Sequence, residues 1–425
     1  MVVLDIQEIK CDASRSATTA SSPRRQVQSE AVFLVVDGGA AEEKETLLQE
    51  EKIVSKREPS GRVKLKFLNG LRGLASLLIV HHHAGYLLEV TIAPSSVDIF
   101  FVLSSFLLTM INASKIQKLV AHKASFREWI VVLLDYFVKR LLRVYPLFAC
   151  VAIVLTCMPE ATRTHYYNLA HYNIQSWSLW DILTFKKRYY LFWTMPIEIA
   201  YYFMIPLFLV GHCYLDKAPK AKWSVIGLLY IWVYYEGCYT QRTTHGEFRP
   251  HLPTFLAGSL AAAVYLDLSK AMKKRTFEPS KWHLVAVRAF ELTMLSTMIS
   301  DVCRGLLVRW FNGSLFPSQH PAVPSVSLPI STVIVIEALA PSAISHVLEW
   351  NVLCFTGKIS FSMYLLHPFV NFLPWLLDLP RVDQFIVRLV LVYSLSTVSF
   401  FLIERNCQEL ATAFGKRLAK RAGPA

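Results

Sequence analysis

The residues best able to do chemistry in this chain are ionisable side chains set inside long apolar stretches, where each is expensive to bury and usually functional. Arg72 and His83 lie eleven residues apart in FLNGLRGLASLLIVHHHAGYL. That spacing is close to three helical turns, so both side chains share one face with about 16 Å of backbone between them. Two groups so far apart cannot hold one atom, but they could hold two parts of one long substrate. The plainer alternative is an Arg72 that reaches to the membrane interface and a His83 that packs in a core. Asp98 opens SVDIFFVLSSFLLT at the mouth of a span, where it is placed to cap a helix N-terminus. Arg140 and Arg143, at i and i+3 in DYFVKRLLRVYPLF, form one cationic face pointing at the membrane, or anchors for the basic side of the bilayer. Glu198 is buried among aromatics in LFWTMPIEIAYYFMIPL, and Tyr364 and His367 share a face in GKISFSMYLLHPFV, where packing at a helix crossing is the alternative role. Glu404 ends the last apolar stretch as a cap or anchor, and Glu291 and Glu337 are intramembrane acids without a motif. A multi-pass carrier uses such residues as readily as an enzyme does, although no inverted repeat relates the two halves.

The elements that must position these groups are membrane helices. The 425 residues are 54% hydrophobic and only 18% charged, with a mean hydropathy of +0.37. A soluble domain carries roughly 25% charge. A spanning helix needs about 20 apolar residues. Ten stretches approach this, at 67–88, 97–113, 144–158, 191–213, 223–240, 252–268, 283–301, 328–347, 358–378 and 384–404; the third is short and follows an interfacial helix at 126–143. The expected fold is therefore all-α, a polytopic membrane protein of about ten transmembrane helices behind a disordered N-terminal tail.

Residues 1–66 read as that tail, cytosolic, with a short helix near 42–56 and an acidic dileucine pattern at 43–48; no secretory signal peptide is evident. The helical domain is expected at 67–405 and a basic cytosolic tail at 406–425. With the N-terminus inside, the cytosolic loops and C-terminus carry 21 Lys and Arg against 10 on the other side, which places both termini in the cytosol. Asn312 then lies in a lumenal glycosylation sequon, whereas the sequon at Asn112 falls at the cytosolic edge and is silent. The net charge of +13 arises outside the tail, so it is a topology signal and implies no nucleic-acid partner. The eight cysteines form no CxxC and no metal spacing, and no bound metal or cofactor is expected.

The segments LNGLRGLASLLIVHHH, VDIFFVLSSFLL, KRLLRVYP, FWTMPIEIAYYFMIP, FLAGSLAA, GKISFSMYLLHP and FLIE, in this order over about 67–405, resemble the acyltransferase 3 family of multi-pass membrane O-acyltransferases. The family's Arg, ten residues, His pattern is met by Arg72 and His83. Ser105 stands where the family usually has glycine, and the fourth span reads Trp193-Thr194-Met195-Pro196-Ile197-Glu198; both resemble fungal-type members. The resemblance implies transfer of an acyl group, often acetyl, from acyl-CoA as cosubstrate to a hydroxyl acceptor. It implies His83 as general base or transient acyl carrier, with Glu198 as its orienting or proton-relaying partner. Arg72, Arg140 and Arg143 then bind the phosphates or thioester of acyl-CoA, and Asp98, Tyr364 and His367 support the site. Donor would enter from the cytosol and acceptor from the membrane or lumen. The absence of an appended hydrolase-like domain points to a glycolipid or small hydrophobic metabolite over a polysaccharide, and the expected residence is an endomembrane or the plasma membrane, among membrane lipid. A transporter and an inactive lipid-binding relative are the competing readings.

Overall fold

The computed structural model describes residues 65–422 except 88–89, 91, 168, 170–176, 241–245, 275–279, 304 and 308–322. The N-terminal tail, its dileucine pattern and Asn312 lie outside the described residues. Every principal element is a helix: α1 (Phe67–His83), α2 (Ile92–Ala121), α3 (Phe126–Cys157), α4 (Thr194–Leu215), α5 (Pro219–Tyr239), α6 (Leu252–Lys273), α7 (Lys281–Val302), α8 (Leu328–Leu339), α9 (Asn351–Asn371), α10 (Arg381–Ser399) and α11 (Arg405–Ala422). No strand occurs among the described residues.

Each of the ten apolar stretches falls on a helix, but among the described residues only five helical segments are both long and apolar enough to cross a bilayer: Ile92–Ala121, Phe126–Cys157, Tyr190–Leu215, Arg249–Lys273 and Arg381–Lys420. The interfacial helix expected at 126–143 and the short span after it are one 32-residue helix, α3, running through Pro146. Ser125 starts it with a capping box to Glu128, satisfying two N-terminal amides that would otherwise be orphaned. The span expected at 328–347 breaks instead at Leu339. Pro341 disfavours helical backbone in the residue before it, and Ala340 accordingly turns out at φ −139°, ψ 84°.

The helix Ala343–Leu348 then begins, and it explains Glu337. That carboxylate accepts from the backbone amides of Ser342 (3.0 Å) and Ser345 (3.1 Å) at the helix start. It also pairs with Arg288 Nη1 of α7 (2.7 Å), which reaches Glu291 as well. The two acids without a motif are thus members of one buried ion network.

The site depends most on how α1 meets α9. Gly70 and Gly73 of α1 lie against backbone at Leu348 and Leu353, and Gly357 of α9 lies against the Asn69 carbonyl; a Cβ at any of the three would overlap the opposing main chain. Small residues at such crossings let two backbones approach closely, the packing that membrane helices favour. The pair runs parallel and in register: Gly73 meets Gly357, and His83 meets His367, ten residues further along each helix. Asn371 locks the far end by donating to the Val80 carbonyl at 3.0 Å. Gly258 plays the same part between α6 and α2, where a Cβ would overlap Ser105 and the Val102 carbonyl.

Candidate active site

Two centres form inside this frame. At the C-terminal end of α1, His83 Nδ1 lies 3.1 Å from His367 Nε2, with the ring planes nearly parallel (11°) and their centroids 5.1 Å apart. His367 is fully buried and its Nδ1 sits 3.2 Å from the Met363 carbonyl. Tyr190 covers the other side of His83, ring edge to ring face at 5.6 Å. Its backbone is left-handed at φ 45°, a conformation that costs a non-glycine residue free energy and gathers at functional sites.

The second centre is cationic. Arg72, at 0% exposure, and Arg143, at 3%, lie with Arg140 close enough for the three guanidinium groups to repel one another. All three nitrogens of Arg72, two of Arg143 and one of Arg140 are buried without a hydrogen-bond partner among the described residues. Glu404 faces Arg143 and accepts a hydrogen bond from Ser362. Leaving buried charge unpaired is costly, and a cluster of this kind can bind an anion with many oxygens, which guanidinium groups hold in bidentate fashion. The cationic face of α3 therefore turns into the protein, not toward the membrane as the sequence suggested, with Arg143 buried against Glu404 and close to Arg72 of α1.

Glu198 joins the two centres. Its Oε1 accepts from Ser104 at 2.7 Å and from Tyr202 at 2.9 Å. Tyr202 itself lies within the electrostatic reach of Arg72, Arg140 and Arg143. On its other side Glu198 lines an apolar cavity with Phe100, Phe101, Met195, Phe361 and Tyr364. Tyr364 leads on to the imidazoles, its ring 6.4 Å from that of His367, while its hydroxyl donates to the Leu191 carbonyl at 3.2 Å.

The structure thus brings Arg72, Arg140 and Arg143 together and brings His83 to His367. It does not join His83 to Glu198: the ring partner of His83 is His367, and the hydroxyls of Ser104 and Tyr202 hold Glu198. Asp98 is no N-cap, since α2 begins at Ile92 and buries Asp98 more than a turn inside it. Glu404 is neither a cap nor an interface anchor, being buried against Arg143. Tyr202 was missed by sequence reading, though its i+4 spacing from Glu198 was a usable signal; Ser104 and Tyr190 offered none.

Away from these centres His212, Asp216 and Asp267 converge at the ends of α4 and α6. Lys222 already supplies the cation there, 2.6 Å from Asp216 and paired with Asp267.

A helical membrane fold with a buried arginine centre and an imidazole pair of one buried and one half-buried ring defines a class that can hold a polyanionic molecule at one end and move a proton at the other. The chain matches the family model described as an acyltransferase domain over residues 65–405, and it belongs to that family, acyltransferase 3. It is 24% identical over 322 residues to a protein of Bacillus subtilis (strain 168) named as a peptidoglycan O-acetyltransferase. The match covers 71% of this chain and 47% of that protein, so the chain spans about half the length of the curated relative it matches. No solved structure matches the chain.

Proposed function

We propose that the protein is a membrane O-acyltransferase that moves an acyl group, acetyl in our reading, from acyl-CoA to a hydroxyl of a glycolipid, saccharide or small secondary metabolite. The observation that carries this reading is an arginine cluster rich in unsatisfied donors together with an imidazole pair, and an apolar cavity lined by Glu198 and Tyr364. Arg72, Arg140 and Arg143 hold the phosphates of the donor from the cytosolic side, where acyl-CoA resides. The acyl group lies in the cavity between Glu198 and Tyr364. Both termini are cytosolic, and the membrane is an endomembrane or the plasma membrane.

At the other end His83 Nε2 takes the proton of the acceptor hydroxyl. The hydroxyl oxygen forms a bond to the thioester carbonyl carbon, the carbon–sulfur bond breaks, and the departing sulfur receives the proton from His83. Glu198 keeps the Tyr202 hydroxyl turned away from the arginines, which leaves their donors for phosphate. Asp98 supports the α2 wall.

The test uses membranes containing the protein and labelled acetyl-CoA. Transfer of label to an extractable hydroxyl compound, lost in His83→Ala at equal membrane abundance, is expected. Transfer that survives in His83→Ala removes His83 from the mechanism. CoA-independent flux of a solute without label transfer assigns the protein to the carriers instead.

A further inference from the structure

We infer that His367 is a positioning residue that sets the tautomer of His83, so that Nε2 and not Nδ1 is the nitrogen that takes the acceptor's proton. The inference rests on the reading of His83 as the base. The polarity follows from one fixed acceptor. A backbone carbonyl only accepts, so the His367 Nδ1 facing the Met363 carbonyl at 3.2 Å carries its hydrogen. In the neutral ring Nε2 of His367 is then a lone pair. The hydrogen in the 3.1 Å bond between the rings therefore sits on His83 Nδ1 and is donated to His367 Nε2. His83 is left with an unprotonated Nε2, which makes no hydrogen bond among the described residues.

The neighbouring histidines show what distinguishes this arrangement. His81 Nδ1 lies 2.6 Å from the Leu77 carbonyl, and His82 Nδ1 lies 2.9 Å from the Leu87 carbonyl, so both rings are tied to backbone. His83 alone of the three passes its Nδ1 hydrogen to another side chain, and that side chain belongs to a helix held in register by Gly357. When Nε2 takes up a proton, the Nδ1–H donor to His367 is retained and strengthens, because the ring is then charged. A carboxylate orienting partner would stabilise the imidazolium more strongly; a neutral imidazole fixes orientation while adding no negative charge beside the reacting hydroxyl.

The experiment compares His367→Gln and His367→Phe with wild type and with His83→Ala, in purified full-length protein with acetyl-CoA as donor. The Gln amide oxygen can stand where Nε2 accepts; Phe keeps ring volume and accepts nothing. The Phe variant should lose about 100-fold in kcat, the scale of a positioned acid–base group, with donor KM within about twofold. Gln should recover about tenfold of that loss. If Phe does not fold, Asn replaces it, since its shorter amide reaches the Met363 carbonyl but not His83. Equal losses in the two variants, or wild-type kcat in the non-accepting variant while His83→Ala is inactive, overturn the inference and leave the function standing. Activity in His83→Ala overturns both.

Discussion

The hydroxyl of Tyr202 donates to Glu198 Oε1 at 2.9 Å from within the electrostatic reach of Arg72, Arg140 and Arg143. With the Ser104 hydroxyl at 2.7 Å, this bond holds the buried carboxylate while Tyr202 reaches toward the arginines. Removing the hydroxyl frees Glu198 to pair with an arginine and compete with ligand phosphate. Tyr202→Phe is expected to raise the KM for acetyl-CoA about tenfold, in keeping with about 1.5–3 kcal/mol for a hydrogen bond to a charged group. Steady-state kinetics in detergent would check it; an unchanged donor KM would separate Tyr202 from the donor site.

Arg143 is buried at 3% exposure among like charges, so its removal relieves repulsion as well as removing a ligand donor. Because Arg143 is also the countercharge of the buried Glu404, the double variant Arg143→Met with Glu404→Gln should leave the melting temperature unchanged or higher, a buried ionic pair being often replaceable as a whole at no cost in stability. Donor affinity should fall at least about tenfold, more than one charge-assisted hydrogen bond being lost. A variant that melts lower and binds donor normally would make Arg143 a structural residue.

The register of α1 and α9 predicts a second kind of loss. Gly357→Ala places a Cβ against the Asn69 carbonyl, a contact that must push the helices apart. Overpacking of this sort costs about 1–3 kcal/mol, and the displaced His367 should lower kcat at least tenfold (~1.4 kcal/mol). Gly211→Ala and Gly227→Ala, whose Cβ positions meet nothing within 4 Å, are the controls and should melt no lower than wild type. Similar losses at all three glycines would remove the packing argument.

Arg288 is the countercharge of Glu291 and Glu337, far in sequence from both proposed centres. Arg288→Ala strands two buried carboxylates and should cost about 3–5 kcal/mol, read as a fall in melting temperature. The kcat per folded molecule should stay near wild type, since the network only secures α7, α8 and the helix Ala343–Leu348. A selective loss of kcat with normal melting would instead bring this network into the chemistry.

Phe361 narrows the cavity between Glu198 and Tyr364. Phe361→Leu should raise the rate with butyryl-CoA relative to acetyl-CoA by about tenfold, the lower end of what one or two methylenes in a fitted pocket can discriminate. Comparing kcat/KM for the two donors checks it. An unchanged ratio would move the acyl group out of this cavity.

Much of this was written in local pattern. Apolar run length located every principal helix from α1 to α10, and the spacing of Arg72 from His83, and of Arg140 from Arg143, marked residues that the fold gathers into two clusters, Arg72 and Arg143 buried and His83 and Arg140 half-buried. The seven ordered segments identified the family whose model covers residues 65–405. Periodicity states which residues share a face, however, and not which face meets which. That α3 turns its arginines inward toward Arg72, that Ser104 holds Glu198, and that His83 finds His367 are contacts across 68 to 284 positions of chain. They depend on backbones brought close at Gly73, Gly357 and Gly258, where the absence of a side chain reveals nothing until the opposing helix is in place.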